Sequence, residues 1–216
     1  MATRLPRHIG VIPDGNRRWA ESRGLSRAEG YAAGIEPGLQ VLRCAQALGI
    51  EEITAYGFTK ENVRRPRAQV RAFQEACSEL GLRAVREGAA LLAVGDTDSA
   101  LFPDRLRPFA TERAPGRVKF NILVNYSWQW DLGYAFRMAR ADRTIPKPGA
   151  VLGSAAIGRV DLVIRWGGRH RLSGFLPFQC AYADFFTIDD LWPDMNCDKF
   201  HEALQWYANQ DVTLGG

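Results

Sequence analysis

Asp14, Gly15, Asn16, Arg17 and Arg18 stand in one run, directly after the apolar stretch His8–Ile12 and Pro13. A carboxylate, a glycine, an amide and two guanidinium groups in five positions are the makings of an anion site. The apolar stretch reads as a buried strand and Arg17 onward as a helix start, so Asp14, Gly15 and Asn16 fall in a tight strand-to-helix turn. Gly15 lets the backbone approach a ligand closely. The helix start offers N–H groups and a positive dipole end. Arg17 and Arg18 add forked donors of fixed charge. A carboxylate inside a phosphate cradle calls for a divalent cation to bridge the two.

A second group is Arg165-Trp166-Gly167-Gly168-Arg169-His170-Arg171-Leu172-Ser173. Paired glycines expose backbone N–H groups, and Arg165, Arg171 and Ser173 supply side-chain donors, which makes a second anion site. A solvated, arginine-rich loop has the same composition. His170 is either a structural histidine or a metal ligand with carboxylate partners. Asp184, after the apolar stretch Ala181–Ala183, either points into the site or is a surface turn acid. Asp189, Asp190 and Asp194 read as caps or surface acids. Tyr56 to Pro66 forms a further cluster, in which Arg65 is a candidate phosphate contact. Asn62 either binds ligand or caps the turn.

These groups sit at the ends of apolar runs. The runs are His8–Ile12, Ile53–Phe58, Ala89–Val94, Val118–Val124 and Asp161–Arg165. Helical patterns near Tyr31–Leu48, Pro66–Glu87, Pro103–Arg113 and Trp128–Arg140 alternate with them. Such βα alternation predicts an α/β domain with a mostly parallel sheet, helices on both faces and right-handed crossovers. Ligands of such sheets bind past the carboxyl ends of the strands, where the loops carrying Asp14, Thr59, Asn62 and Arg165 would converge. Residues 142–160 are rich in Pro and Gly and read as a connection with at most one helical turn.

The chain of 216 residues, 46% hydrophobic, suits a single domain over residues 1–216. Neither a membrane span nor a signal peptide is expected. Cys44, Cys77, Cys180 and Cys197 form no close-spaced metal or redox pair and read as free thiols of a cytoplasmic protein. The net charge of +4 rests almost wholly on arginine. Codon bias accounts for much of that, and arginines at anion sites for the rest. No basic stripe with interleaved aromatics points to nucleic acid.

The chain resembles the cis-prenyltransferases, the undecaprenyl diphosphate synthase family. That family opens with His-x-x-x-x-Met-Asp-Gly-Asn-x-Arg-Trp-Ala, matched from His8 to Ala20 with Pro13 for Met. Its next block is matched by Arg23, Gly24, Arg27, Gly30, Tyr31 and Gly34, with Tyr31 in place of a histidine. Its Tyr-x-Phe-Ser-x-Glu-Asn-Trp-x-Arg-Pro stands here as Tyr56 to Pro66, with Thr59 and Val63 as changes. Later blocks correspond to Arg165–Leu176, Ala181–Asp184 and Leu191–Met195. The resemblance implies six mostly parallel strands flanked by helices, a homodimer and prenyl diphosphate substrates. It implies that Asp14 manages Mg²⁺ and diphosphate, with His170 and Asp184 helping to place the metal. Gly15, Asn16, Arg17, Arg18, Arg27 and Tyr31 would line the allylic diphosphate site. Arg165, Arg171 and Ser173 would hold the second diphosphate.

The departures bear on which reaction is run. The helix after Pro66 is shorter by about one turn than in makers of long chains. The family's Asn-Tyr-Gly-Gly-Arg becomes Asn125-Tyr126-Ser127-Trp128-Gln129, Trp166 replaces Thr, Arg169 replaces Glu, and the C-terminal Arg-x-Gly becomes Thr213-Leu214-Gly215. The pattern resembles the irregular, cyclolavandulyl-type branch, in which two dimethylallyl diphosphates join head-to-middle. Trp128, Trp166 and Phe58 are candidates to shield a cation through their π faces, or are core. Thr59, Asn62, Tyr31 and released diphosphate are the candidate bases. Two alternatives stand beside this reading. One is a regular short-chain synthase using isopentenyl diphosphate. The other is a non-catalytic subunit of a heteromeric prenyltransferase, against which the intact Asp14–Arg18 run argues.

Overall fold

The computed structural model describes residues 4–142 and 151–211. Six strands form one sheet: β1 (His8–Ile12), β2 (Glu52–Tyr56), β3 (Ala89–Val94), β4 (Val118–Leu123), β5 (Leu162–Trp166) and β6 (Asp184–Ile188). Their order is β3-β4-β2-β1-β5-β6, and every pairing is parallel. All carboxyl ends therefore share one rim. The helices are α1 (Asn16–Ser22), α2 (Arg27–Ala33), α3 (Ile35–Leu48), α4 (Arg67–Arg86), α5 (Pro108–Thr111), α6 (Trp128–Asp142) and α7 (Cys197–Ala208).

The strand runs expected at His8–Ile12 and Ala89–Val94 have those bounds in the structure. The helix expected over Tyr31–Leu48 is two helices, broken at Gly34. A Cβ there would meet Asn16 Oδ1 at 2.5 Å and the Trp192 ring at 2.9 Å, so the break is where chain elements touch. Ser26 and Glu29 close a reciprocal cap at the start of α2. The helix expected over Pro103–Arg113 reduces to a 3₁₀ turn at Asp104–Leu106 and the four residues of α5, because Pro108 lacks an N–H to continue. Within the 142–160 connection, residues 143–150 lie outside the described residues, as do Thr213, Leu214 and Gly215.

Period-2 alternation divides the strands between two cores. Ile9, Val11, Ile53, Ala55, Phe120, Ile122, Ile164 and Trp166 pack against α3, α4 and α7. Ile12, Tyr56, Leu123 and Val163 face the other way, onto Ile157, Val160, Phe175 and Leu176. That second face is covered largely by irregular chain rather than by helices. It also holds buried polar chains. Thr54 Oγ1 lies 2.8 Å from His8 Nε2 and accepts from Asn121 Nδ2 at 2.9 Å, and His8 Nδ1 lies 3.0 Å from the Arg159 carbonyl. Asp131, fully buried, accepts from Tyr126 Oη, Ser154 Oγ and Ser154 N–H at 3.0, 2.6 and 2.8 Å.

Candidate active site

The rim loops are tied by backbone hydrogen bonds: Trp192 N–H to Asp14 O (3.0 Å), Gly167 N–H to Asp190 O (2.9 Å) and Lys60 N–H to Tyr126 O (2.9 Å). Among the described residues, a polar cavity of about 410 Å³ opens at this rim. Asp14, Gly15, Asn16, Arg17, Arg18, Tyr31, Thr59, Asn62, Arg65, Arg165 and Ser173 all line it. Residues up to 159 positions apart in sequence are thus gathered in one place.

Gly15 has φ +115°, and a Cβ there would meet the Leu191 side chain at 2.9 Å. Backbone conformation and crowding both require glycine. It turns the chain sharply so that Asp14 faces Arg165. The Arg165 guanidinium donates to Asp14 Oδ2 at 2.7 Å and to Ser173 Oγ at 2.9 Å, and also to the Arg171 carbonyl. Arg165 is buried, and its Nε has no partner. Arg18 donates to the Gly167 carbonyl at 2.9 Å and lies 3.4 Å from Asp14 Oδ1. The two expected anion sites are therefore one continuous surface with Asp14 at the seam. Arg17 lines the cavity with its Nε buried and unpartnered. Ser173 holds φ +53°, an uncommon conformation for a residue with a side chain.

Asn62 Oδ1 accepts the Thr59 N–H at 3.1 Å, so the residue both caps the turn and lines the cavity. Arg65 donates to the Tyr31 hydroxyl at 2.8 Å. Tyr56 donates to the Ser173 carbonyl at 2.9 Å, and burial pushes its phenol above the usual range, so it stays protonated. Tyr56 and Glu61, both within the Tyr56–Pro66 motif, also line the cavity, as do Phe73 and Glu21, which no sequence motif marks.

Seven candidates stand elsewhere. Trp166 and Phe58 are fully buried: Trp166 packs edge-on to Trp192 at 4.8 Å, and Phe58 edge-on to Phe73 at 5.9 Å. Both belong to the core rather than to the cavity wall. Strand alternation sends Trp166 to the face opposite Arg165. Arg27 is paired with Glu21 at 2.6 Å, and Arg171 is exposed, offering its carbonyl to Arg165. His170 is exposed, with Nδ1 3.0 Å from Thr187 Oγ1. Asp184 opens β6 beside Leu162, at the opposite end of the sheet from the rim, and its carboxylate lies 4.0 Å from Arg4. Asp184 and Asp14 therefore do not come together around one metal in this chain. Among the described residues no three His, Cys, Asp or Glu side chains converge as a metal cage. Trp128 is 42% exposed and lies beside Gly174, near Ser173.

Below the polar cavity lies a narrow apolar one of about 50 Å³ between the sheet, α3 and α4. Its walls include Val41, Phe73, Cys77, Leu80, Phe120 and Trp192. Pro13, Asn16, Tyr31, Tyr56, Gly57 and Phe73 line both cavities and form the neck between them.

Comparison with known proteins agrees with this architecture. The isoprenyl transferase of Porphyromonas gingivalis is 34% identical, over 98% of this chain and 90% of its own length. The (2E,6E)-farnesyl-diphosphate-specific ditrans,polycis-undecaprenyl-diphosphate synthase of Escherichia coli K12 is 33% identical, over 97% and 90%. The crystal structure of lavandulyl diphosphate synthase from Lavandula x intermedia, in complex with dimethylallyl diphosphate, has the same fold. Its TM-score is 0.86 at 24% identity, covering 98% of this chain and 99% of that one. The family model described as "Putative undecaprenyl diphosphate synthase" matches residues 12–215. With a cradle at the rim and relatives aligned along nearly its full length, the chain belongs to the undecaprenyl diphosphate synthase family of prenyltransferases.

Proposed function

We propose that this chain condenses two dimethylallyl diphosphates head-to-middle into an irregular, (cyclo)lavandulyl-type monoterpene diphosphate, releasing diphosphate. The observation that carries this reading is the disparity between the two cavities. The polar one, at about 410 Å³, has room for small diphosphates. The apolar one beneath it, at about 50 Å³, leaves little room for a growing polyprenyl tail. The fold admits such chemistry, since the Lavandula protein is a lavandulyl diphosphate synthase.

In this reading Asn16, Arg17 and Arg18 hold the donor diphosphate, and Arg165 and Ser173 hold the acceptor's. Asp14 and the diphosphate oxygens would hold Mg²⁺. A single protein carboxylate suits an ion that keeps most of its shell as water and substrate phosphate. When bound, the ion supplies charge neutralisation for the leaving diphosphate. The arginines stabilise the same developing charge. The donor's C1–O bond breaks, and C2 of the acceptor's double bond attacks C1, leaving a tertiary cation on the acceptor. Loss of a proton gives the lavandulyl skeleton. Passing a proton from an acceptor methyl to the donor's C2 instead leaves an isopropenyl group and a tertiary cation on the donor's C3; bonding of the isopropenyl CH₂ to that carbon closes a six-membered ring, and proton loss from the resulting tertiary cation gives the cyclised one. Released diphosphate is the favoured base, because the Asn62 oxygen is already engaged by the Thr59 N–H and the Tyr31 hydroxyl already accepts from Arg65. Holding two alkenes in contact is chiefly a positioning task. A homodimer is part of this reading.

Mass and NMR identification of the product formed from dimethylallyl diphosphate and Mg²⁺ tests the proposal. A branched C10 diphosphate is expected. A strict requirement for isopentenyl diphosphate would favour a regular short-chain synthase, and activity only after mixing with another subunit would favour the non-catalytic reading.

A further inference from the structure

The 3₁₀ turn Lys60–Arg64 has no buried residue of its own, yet it belongs to the wall of the rim. Asn62, within it, and Arg65, just after it, line the polar cavity. Packing therefore does not fix these two side chains; polar ties do. Two ties are internal, Asn62 N–H to Thr59 O and Arg65 N–H to Asn62 O, both at 3.0 Å, and they shape the turn without anchoring it. At the far end Arg65 donates to the Tyr31 hydroxyl at 2.8 Å. At the near end Thr59 pairs with Tyr126, and Lys60 N–H donates to Tyr126 O at 2.9 Å. One more tie follows, from Lys60 Nζ to the Asp96 carboxylate at 2.5 Å. Asp96 is firmly seated just past β3. Before it stands Gly95, where a Cβ would lie 1.7 Å from the Val124 carbonyl oxygen, so only glycine lets the two chain segments come this close. Asp96 N–H donates to Asn125 O at 3.3 Å, and Asn125 Nδ2 donates to Asp96 O at 3.1 Å. The Asp96 side chain is 17% exposed, so water and salt screen this pair less than an open surface pair.

From these ties we infer that the Lys60–Asp96 ion pair is a latch that positions Asn62 and Arg65 for diphosphate. The inference deepens the proposed function and rests on its reading of the rim as a diphosphate site. Lys60 and Asp96 stand outside the lining of the polar cavity, so both act through the turn and are positioning residues. Cutting the pair leaves Lys60 held by its backbone alone. The turn is then free to pivot between Thr59 and Arg65, and Asn62, midway between them, moves most. A diphosphate would meet donors that must be ordered again at each binding event, which costs affinity.

Calorimetry with inorganic diphosphate and limited trypsin digestion test the latch on the full chain. Asp96→Ala and Lys60→Ala should each weaken diphosphate binding by about tenfold, as expected when binding groups are displaced rather than removed. The double variant should bind no more weakly than either single one, since the two residues act as one unit. Charge reversal, Lys60→Asp together with Asp96→Lys, should recover most of the loss, which a purely structural role for either residue would not allow. Thermal midpoints should stay close to wild type, because a partly exposed ion pair adds little to global stability. Trypsin should cut the Arg64–Arg65 bond of both single variants about tenfold faster, as local opening becomes more frequent. The latch is overturned if the folded single variants bind diphosphate as wild type does, if their losses multiply in the double variant, or if the charge-reversed protein binds as poorly as the single variants. Unchanged cleavage at Arg64–Arg65 overturns it equally. A wild type that does not bind diphosphate overturns the reading of the rim; the cleavage rates then decide whether Lys60 and Asp96 hold the turn.

Discussion

Arg165 grips Asp14 across 151 residues of sequence, with one guanidinium nitrogen 2.7 Å from the carboxylate. Arg18 stands at 3.4 Å on the other oxygen. The carboxylate that would manage a metal is thus already neutralised by protein. Mg²⁺ alone should bind weakly, and inorganic diphosphate, by drawing on the arginines, should release Asp14 and tighten Mg²⁺ by at least about tenfold, within the usual range of coupling between sites. Calorimetric titration of MgCl₂ with and without diphosphate measures this. Equal affinities would contradict the coupling.

Asp14→Ala should lower kcat by about 10²–10³, the usual loss when a transition-state charge contact is removed. It also strands the buried Arg165 charge, so the thermal midpoint should fall as well. Steady-state rates and a thermal melt read the two effects separately. A wild-type rate would refute the role given to Asp14.

Gly15→Ala places a Cβ at φ +115° and 2.9 Å from Leu191. A cost of about 1–3 kcal/mol in stability follows from the backbone strain, together with weaker diphosphate binding as Asp14 and Asn16 are displaced. Urea unfolding and calorimetry check both parts.

His8 lies buried, and desolvation holds its pKa below the ordinary histidine value. Its partners fit the neutral ring, with Nδ1–H donating to Arg159 O and Nε2 accepting from the Thr54 hydroxyl. The unfolded chain binds a proton near pH 6.5, where the folded chain still resists it. This contribution to stability is therefore complete above about pH 6.5 and is lost as pH falls from there towards the folded pKa. Urea midpoints between pH 7.5 and 5 should decline, and His8→Gln should flatten that decline. An identical slope in the variant would remove His8 as the cause.

Asp131→Ala removes the acceptor for Tyr126, Ser154 N–H and Ser154 Oγ. Leaving buried donors unpaired costs about 1–3 kcal/mol each, partly relieved by rearrangement, so unfolding free energy should drop by at least about 2 kcal/mol. Denaturant unfolding tests this, with Asp131→Asn as the milder comparison.

Much of this architecture was legible in the sequence because its signals are local. Pro13 stops β1 and the apolar run gives its length; Gly49 caps α3 with φ +73°. The gathering of Asp14 to Arg18 along one cavity was legible because the five are contiguous. What failed depended on contacts between distant segments. Gly34 breaks a helix because Asn16 and Trp192 press on it. The edge strand β6 carries a half-buried Asp-Phe-Phe-Thr-Ile pattern with no clear period, and the resemblance rather than the pattern implied a sixth strand. Residue type alone points Trp166 towards the substrate. Its immediate neighbour Arg165 reaches the cavity, and in a strand two adjacent side chains do not share a face. Asp184 was placed there by motif, yet it lies at the start of a strand whose end, at Ile188, makes the rim.

The central position of β1 bears on how the protein is made. The strand that leads into the Asp14–Arg18 turn precedes the other five strands in the chain, yet it pairs with β2 some forty residues later and with β5 some hundred and fifty later. A nascent chain released before Arg165 would lack both the Arg165 and Ser173 walls of the rim cavity and the Asp14–Arg165 contact. Such non-local pairing slows folding. On refolding from urea, helical ellipticity should therefore return first and diphosphate binding last.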